Sequence, residues 1–482
     1  MGRRLYMETF GCQMNVLDTQ LVLGRLRAEG YELAESVEQA DVVLYNTCSV
    51  RQHAEQKVWS RLGRLRGEKK RRPELVIGVM GCMAEREGAG MFERHPQVDV
   101  LCGPAELDKL PGLLERALAK AEGMGRQVAL MGSRDGGRPA QHGGADGLEQ
   151  LDLSRSVSGA EDVSQAYVRI TRGCNKFCSY CVVPYTRGPE VHRPPGNIME
   201  EVRRLAGAGA REVTLLGQTV NRYAYRHGDG RTTSFAELLS MVHEAAPGLA
   251  RLRFVTSYPR DFTDEALAAM RDCSRICGYL HVPAQSGSDR ILKMMNRGYT
   301  VGEYRELVER ARSMVSDVSI ASDFIVGFPT ETEEDHEASM ELIRHCRFKN
   351  SFVFKYSARP GTMAAKRYKD DIPEAVKRRR NSEVLAVQQT VCLENNRQMI
   401  GKRVAVIVEG QSKLASRQGK SDGEPVQLTV GGRRAGQTQL IARARGDQIV
   451  CFDGLPELKG RILSLEIVGA EGLTLFGRLA GS

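Results

Sequence analysis

The run YVRITRGCNKFCSYC, residues 167–181, decides the fold. It opens as a short strand of β-branched and aromatic residues and closes on three cysteines spaced C-x3-C-x2-C: Cys174, Cys178 and Cys181. Three thiolates on one loop can cap three irons of a [4Fe–4S] cube, which normally has four cysteine ligands. The fourth iron is then open to another ligand. Zinc held by Cys178 and Cys181 would want a further Cys or His at a compatible spacing, and none is near in the chain. A thioredoxin-type pair would leave Cys174 unexplained.

Downstream, strand and helix patterns alternate. Strands are expected at 167–171, 213–217, 252–256, 279–282, 318–325 and 352–356, with helical patterns such as IMEEVRRLAGAG and EYRELVERARSMV between them. Six such units predict a partial or full (β/α) barrel with its chemistry at the carboxyl ends of the strands.

Upstream, residues 1–120 alternate in the same way. VVLY (42–45) and LVIGVM (75–80) are buried-strand runs, and the stretches around them have helical spacing. A small parallel-sheet α/β domain follows. Cys12 comes just after the strand expected at 4–9, Cys48 after VVLYN, and Cys82 after LVIGVMG. The carboxyl ends of parallel strands line one edge, where ligands bind. The three are therefore either ordinary buried cysteines or a second trio with one iron left open. Repeated strand-then-cysteine placement, with Gly11 and Gly81 before two of them, favours the trio. The other six, Cys102, Cys273, Cys277, Cys346, Cys392 and Cys451, are expected to be structural.

The rest of the chain is simpler. Residues 121–160 contain GMGRQVALMGSRDGGRPAQHGGADGLEQ and read as a Gly-rich linker, with some extended residues near 127–131. The barrel domain is expected over 161–392. Residues 393–482 end in short β runs between Gly-rich turns and predict a small OB-like β-barrel. The fold class is α/β with this all-β appendage.

With 482 residues and 41% of them hydrophobic, the chain can bury several cores. No apolar run is long enough for a membrane span. MGRRLYMETF reads as a strand and not as an apolar leader, so a cytoplasmic location is expected, with its 12 cysteines reduced. A formal charge of +9 is a mild sign of a polyanionic partner. Part of it is local: residues 359–403 hold 11 basic and 5 acidic residues. Within them Lys377, Arg378, Arg379, Arg380, Lys402 and Arg403 are candidates for RNA phosphates; a solvated helix face is the other reading. No nucleotide-binding or protease motif is complete: GKS at 419–421 has Leu414 where a P-loop needs Gly, and H-E-x-x-H and G-x-S-x-G are absent.

These residues resemble the radical S-adenosylmethionine (SAM) enzymes, and within them the methylthiotransferases. The resemblance runs through TFGCQMN (9–15), NTCSVR (46–51), GCMAER (81–86), CVVPYTRG (181–188), EVTLLGQTVNRY (212–223), FVTSYPRDFTD (254–264), QSGSDRILKMMNRGYT (285–300), SDFIVGFPTETEED (322–335) and FKYSARPGT (354–362). GCQMN resembles the branch whose target is C2 of an N6-dimethylallyladenosine beside the anticodon of tRNA. The resemblance implies two [4Fe–4S] clusters, on Cys174/Cys178/Cys181 and on Cys12/Cys48/Cys82, and two uses of SAM. At the first cluster SAM is cleaved to a radical; at the second it methylates a sulfur that is then transferred. No side-chain acid or base beyond the cluster ligands is implied as catalytic, because the target C–H bond is unactivated. It further implies SAM contacts at Tyr180, Gly217, Gln218, Gln285, Ser286 and Asp323, an RNA-binding TRAM domain at the carboxyl end, an electron-donor protein, a sulfur source and a monomer. Gln20 stands where the family often has an acidic residue. The segment 415–435 is inserted polar sequence, and ARARGDQIV (442–450) blurs the expected Gly-Arg-Thr signature. Two other readings are a methylthiotransferase acting on threonylcarbamoyladenosine in tRNA or on a ribosomal protein, and a non-catalytic iron–sulfur RNA-binding regulator.

Overall fold

The computed structural model describes residues 2–49, 52–119, 126–131, 146–155, 164–412 and 437–479. The inserted polar stretch 415–435 and much of the linker lie outside them.

The first domain is a six-stranded sheet, parallel throughout. Its order is Tyr31–Leu33, Arg3–Phe10, Val42–Thr47, Val76–Gly81, Val100–Cys102, Gln127–Ala129. Both faces are covered at its centre, where Val42–Thr47, Val76–Gly81 and Val100–Cys102 are buried at every residue. Val42 and Leu44 pack on one side with Leu17 and Leu21 of the helix Gln13–Ala28. Val43 and Tyr45 point to the other side, against Val58 and Leu62. Register then sets the edge. Phe10 pairs with Thr47, and Thr47 with Gly81, so three strands end level. Arg3–Phe10 and Val42–Thr47 lie at the switch point of the winding, where an open sheet leaves its crevice.

The segment read as a linker carries structure of its own. Gln127–Ala129 is the sixth strand of this sheet, in line with the extended residues expected there. Asp146–Leu153 is a helix, which the Gly-rich composition concealed. Its Leu148 and Leu151 join the first domain's core, and its acidic side chains turn to the second domain.

The central domain has six parallel strands where expected: Gln165–Arg169, Glu212–Leu216, Arg251–Phe254, Tyr279–His281, Ser319–Val326 and Asn350–Lys355. They form two sheets of three. A parallel bridge between Leu252 and Ile276 links the two, giving a partial barrel. The outer helices begin at strong caps. Ser234/Glu237, Thr300/Glu303 and Thr332/Asp335 are complete capping boxes, each satisfying two otherwise orphaned N–H groups.

The last domain is a closed barrel of five strands: Arg403–Gln411, Thr438–Ala444, Ile449–Gly454, Ile462–Glu471 and Thr474–Leu479. Its size and closure fit the OB-like expectation. It docks at the amino ends of the central strands, away from the cysteine loop. Arg251 donates to Arg443 O and Ala405 O at 2.7 Å each, and Arg253 to Ala444 O at 2.6 Å. Lys349, just before the sixth strand, pairs with Asp447 at 2.8 Å. Among the described residues no helix is long and apolar enough to cross a membrane.

Candidate iron–sulfur and SAM site

None of the 12 cysteines is in a disulfide. Six of them collect at the facing rims of the first two domains. Cys12, Cys48 and Cys82 follow Phe10, Thr47 and Gly81 by two, one and one residues. The level strand ends therefore bring positions about 35 residues apart into one place. Cys48 hydrogen-bonds Cys12, and this contact, with the nearby Arg187 and a backbone N–H at Asn15, draws the Cys12 pKa down to about 6 against its burial. Burial instead pushes the Cys82 thiol up, although Arg187 hydrogen-bonds it. Behind the trio, Asn15 donates to Asn46 Oδ1 at 2.9 Å and Asn46 to Asn15 O at 2.8 Å, locking the first helix to the third strand.

The second trio sits on its loop at the carboxyl end of the first barrel strand. Ser179 N–H donates to Met295 O and its hydroxyl to Met294 O, both at 2.9 Å, and Asn296 donates to Phe177 O at 2.9 Å. Arg297 donates to Cys178 Sγ at 3.3 Å and is anchored on Pro283 O and Tyr299 Oη. Thr219 stands 3.8 Å from Cys174 Sγ. Burial raises the pKa values of Cys174 and Cys181, and the neighbouring thiols add to it. Such thiols become thiolates only against a positive centre, which iron supplies.

Each trio offers three thiols, a donor set whose chemistry suits three irons of a cube. Among the described residues no three His, Cys, Asp or Glu side chains are placed to hold a single metal ion. Cube ligands each take a different iron, so they stand further apart than the ligands of one zinc. The barrel mouth also fits a polar ligand. Thr171, Gln218 and Ser257 lie just past the first three strands, and each has a buried oxygen with no hydrogen-bond partner among the described residues. Orphaned oxygens of this kind call for a partner such as the amino group of SAM.

The expected SAM residues divide. Gln218 belongs to that set of orphaned oxygens, and Gly217 beside it has no room for a side chain: a Cβ would lie 2.2 Å from Thr171 Oγ1. Tyr180 is partly buried against the cluster formed by Ile291, Met295 and Phe328. Gln285 is buried with φ +73°, a strained backbone typical of ligand sites. Ser286 is committed to its own loop, accepting from Ser288 N–H at 3.2 Å. Asp323 lies inside the strand Ser319–Val326 and pairs with His281 at 3.1 Å.

The basic cluster needs a larger correction. Lys377 and Arg380 are buried inside the central domain, Lys377 on Asp370 at 2.6 Å and Arg380 on Glu331 at 2.8 Å. Neither can reach a phosphate. Arg378 and Arg379 are exposed but paired, with Glu374 and with Glu333 and Glu383. Lys402 and Arg403 are exposed and have no ion-pair partner among the described residues. They line a groove of about 770 Å³ between the last barrel and the central domain.

Two residues of the site, Arg187 and Arg297, were given no role in the sequence reading. Arg187 is a lone cation in the apolar stretch CVVPYTRG, and that contrast was the available signal; Arg297 follows Arg290 and Lys293 in QSGSDRILKMMNRGYT and carried no such signal. The glycines before the cysteines are tied to the geometry. Gly11 has φ +138° and a Cβ there would lie 2.4 Å from Cys48 Cβ; Gly173 has φ +69° and its Cβ would lie 2.0 Å from Pro189 O. Gly11→Ala is expected to lose the iron of the first trio while SAM cleavage persists, and Gly173→Ala to lose SAM cleavage. Iron and 5′-deoxyadenosine assays check both; equal effects in the two variants would refute the assignment.

Residues 4–103 match the family described as "Uncharacterized protein family UPF0004", and residues 168–343 match the radical SAM superfamily. Among solved structures, the radical SAM methyltransferase TsrM from Kitasatospora setae, with cobalamin and a [4Fe–4S] cluster bound, aligns with TM-score 0.51 at 13% identity. It covers 89% of this chain and 80% of that one, a likeness of fold. The curated relatives are far nearer. The tRNA-2-methylthio-N(6)-dimethylallyladenosine synthase of Rhodopirellula baltica is 46% identical over 99% of this chain and 96% of its own length. The proteins of the same name from Porphyromonas gingivalis and Bordetella pertussis are 40% and 42% identical over 99% of the chain. The six cysteines at two facing rims and a likeness that runs from one end of the chain to the other lead to one conclusion: the chain belongs to the family of radical SAM tRNA-2-methylthio-N(6)-dimethylallyladenosine synthases.

Proposed function

We propose that this protein transfers a methylthio group to C2 of an N6-dimethylallyladenosine beside the anticodon of tRNA, using two SAM molecules and two [4Fe–4S] clusters. The observation that carries this reading is the placement of two cysteine trios on facing rims, at the carboxyl ends of two parallel-strand systems. When bound, the clusters supply the one-electron and sulfur chemistry that no side chain can perform. Cys174, Cys178 and Cys181 would hold one and Cys12, Cys48 and Cys82 the other, each with one iron unliganded by protein. Thr171, Gln218 and Ser257 offer oxygens to SAM, with Gly217 allowing close approach and Tyr180 and Gln285 shaping the same mouth. The surrounding protein holds these groups in register and excludes water. Lys402 and Arg403, exposed and without an ion-pair partner among the described residues, would offer charge to tRNA phosphates and position the RNA without reading its sequence. The enzyme would act as a cytoplasmic monomer, fed by an electron-donor protein and a sulfur source.

Relatives of one activity over the full length favour this adenosine over threonylcarbamoyladenosine or a ribosomal protein. Two trios and a SAM-compatible mouth exceed what an iron–sulfur regulator needs. Nucleoside analysis of tRNA tests the substrate. A deletion strain should accumulate N6-dimethylallyladenosine, and the restored gene should convert it to the 2-methylthio form. Persistence of the 2-methylthio nucleoside in the deletion strain would show the substrate to be another.

A further inference from the structure

Arg187 lies six residues beyond Cys181, after the short helix Val183–Thr186, yet it serves the other trio. Its guanidinium pairs with Asp18 Oδ2 at 2.7 Å, its side chain is 6% exposed, and it faces Cys82 and Cys12. Asp18 is shared with Arg169 at 3.1 Å, and Arg169 continues to Asp152 at 2.8 Å. Arg193 meets Glu149 and Glu201 at 2.9 and 2.7 Å, Arg172 meets Glu149, and Arg155 meets Glu201. The network has five arginines (155, 169, 172, 187, 193) and four carboxylates (Asp18, Glu149, Asp152, Glu201), a surplus of one positive charge. None of its side chains is more than 14% exposed. A buried surplus charge is unfavourable unless an anion faces it. Besides Asp18, the acidic groups that face Arg187 are Cys82 and Cys12 of the first trio, which become anionic thiolates on binding iron.

We propose that Arg187 is a positioning residue whose charge sets the electron affinity of the iron–sulfur centre on Cys12, Cys48 and Cys82, with Asp18 as its counterweight. The proposal rests on the reading that this trio holds a [4Fe–4S] centre. A cube on three thiolates is anionic and becomes more so on gaining an electron. A cation against its sulfurs therefore favours the reduced form, and strongly, because the site is buried. The guanidinium suits the place because its fork can address a carboxylate and a sulfur together. Asp18 opposes it, so the two residues push the potential in opposite directions.

The test uses the full chain with Cys174, Cys178 and Cys181 changed to Ala, reconstituted anaerobically so that one centre gives the signal. Iron content and a redox titration followed by electron paramagnetic resonance are read together. Arg187→Gln should shift the midpoint to lower potential, Arg187→Lys should restore most of it, and Asp18→Asn should shift it to higher potential. A merely structural role would move Arg187→Gln and Asp18→Asn alike, or move neither; either result with iron retained overturns the proposal. If Arg187→Gln loses its iron, Asp18→Asn still decides: a midpoint at or below the parent's overturns it. A parent chain without iron would instead refute the reading of the trio.

Discussion

Cys12→Ala enzyme is expected to cleave SAM at close to the wild-type rate while methylthiolation of tRNA falls to background. The two activities separate because the two trios have separate supports. The Cys174–Cys181 loop hangs on Met294, Met295, Asn296 and Arg297 of the central domain. Cys12 instead belongs to the first sheet, hydrogen-bonded by Cys48 and held near Asn15. Changes to residues that only support a metal ligand already reduce activity or affinity about 10- to 100-fold, so loss of a ligand should exceed ~100-fold. The checks are 5′-deoxyadenosine release and nucleoside analysis on one anaerobic preparation. Full methylthiolation in this variant would remove the first trio from the mechanism.

The largest effect on stability is expected from Asp152→Asn. Asp152 is wholly buried and receives Arg169 through two nitrogens, at 2.8 and 3.2 Å, with Arg193 at 3.6 Å. The substitution keeps the shape and removes one anion, so the buried surplus grows from one positive charge to two. Breaking one partner of a buried ion pair typically destabilises by about 3–5 kcal/mol. Urea unfolding should show the loss as an earlier transition of the first two domains, since the network joins them. The pH dependence carries a sign. Burial opposes the charge of Asp152, but Arg169, Arg193 and Arg172 hold its pKa below the ordinary aspartate value. A lowered pKa means the stabilisation is present at neutral pH and lost as acid protonates the folded carboxylate. The variant should therefore lack this part of the acid-induced loss of stability. An unchanged transition at neutral pH would refute this role of the network.

The legible parts of the sequence were those where chemistry and local pattern coincide. The loop from Cys174 to Cys181 carries its ligands within eight residues, so spacing alone exposes it. The dispersed trio was legible because parallel strands end level, and Phe10, Thr47 and Gly81 do. What escaped depends on partners far away in the chain. Lys377 and Arg380 look like a basic surface until Asp370, Glu331 and Glu333 are placed against them, the glutamates more than 40 residues upstream. The helix Asp146–Leu153 was hidden by glycine-rich flanks, and its acidic side chains acquire meaning from Arg169 and Arg193, up to 44 residues downstream. Arg187 lies within CVVPYTRG, but only the meeting of two domains shows that it faces the trio it does not follow.

The claim of two centres on two trios is tested most directly by iron and acid-labile sulfide per chain after anaerobic reconstitution. Two cubes predict about eight irons in the unaltered protein and about four when either trio is replaced by Ala. About four irons in the unaltered protein, or about eight surviving the loss of either trio, would contradict it.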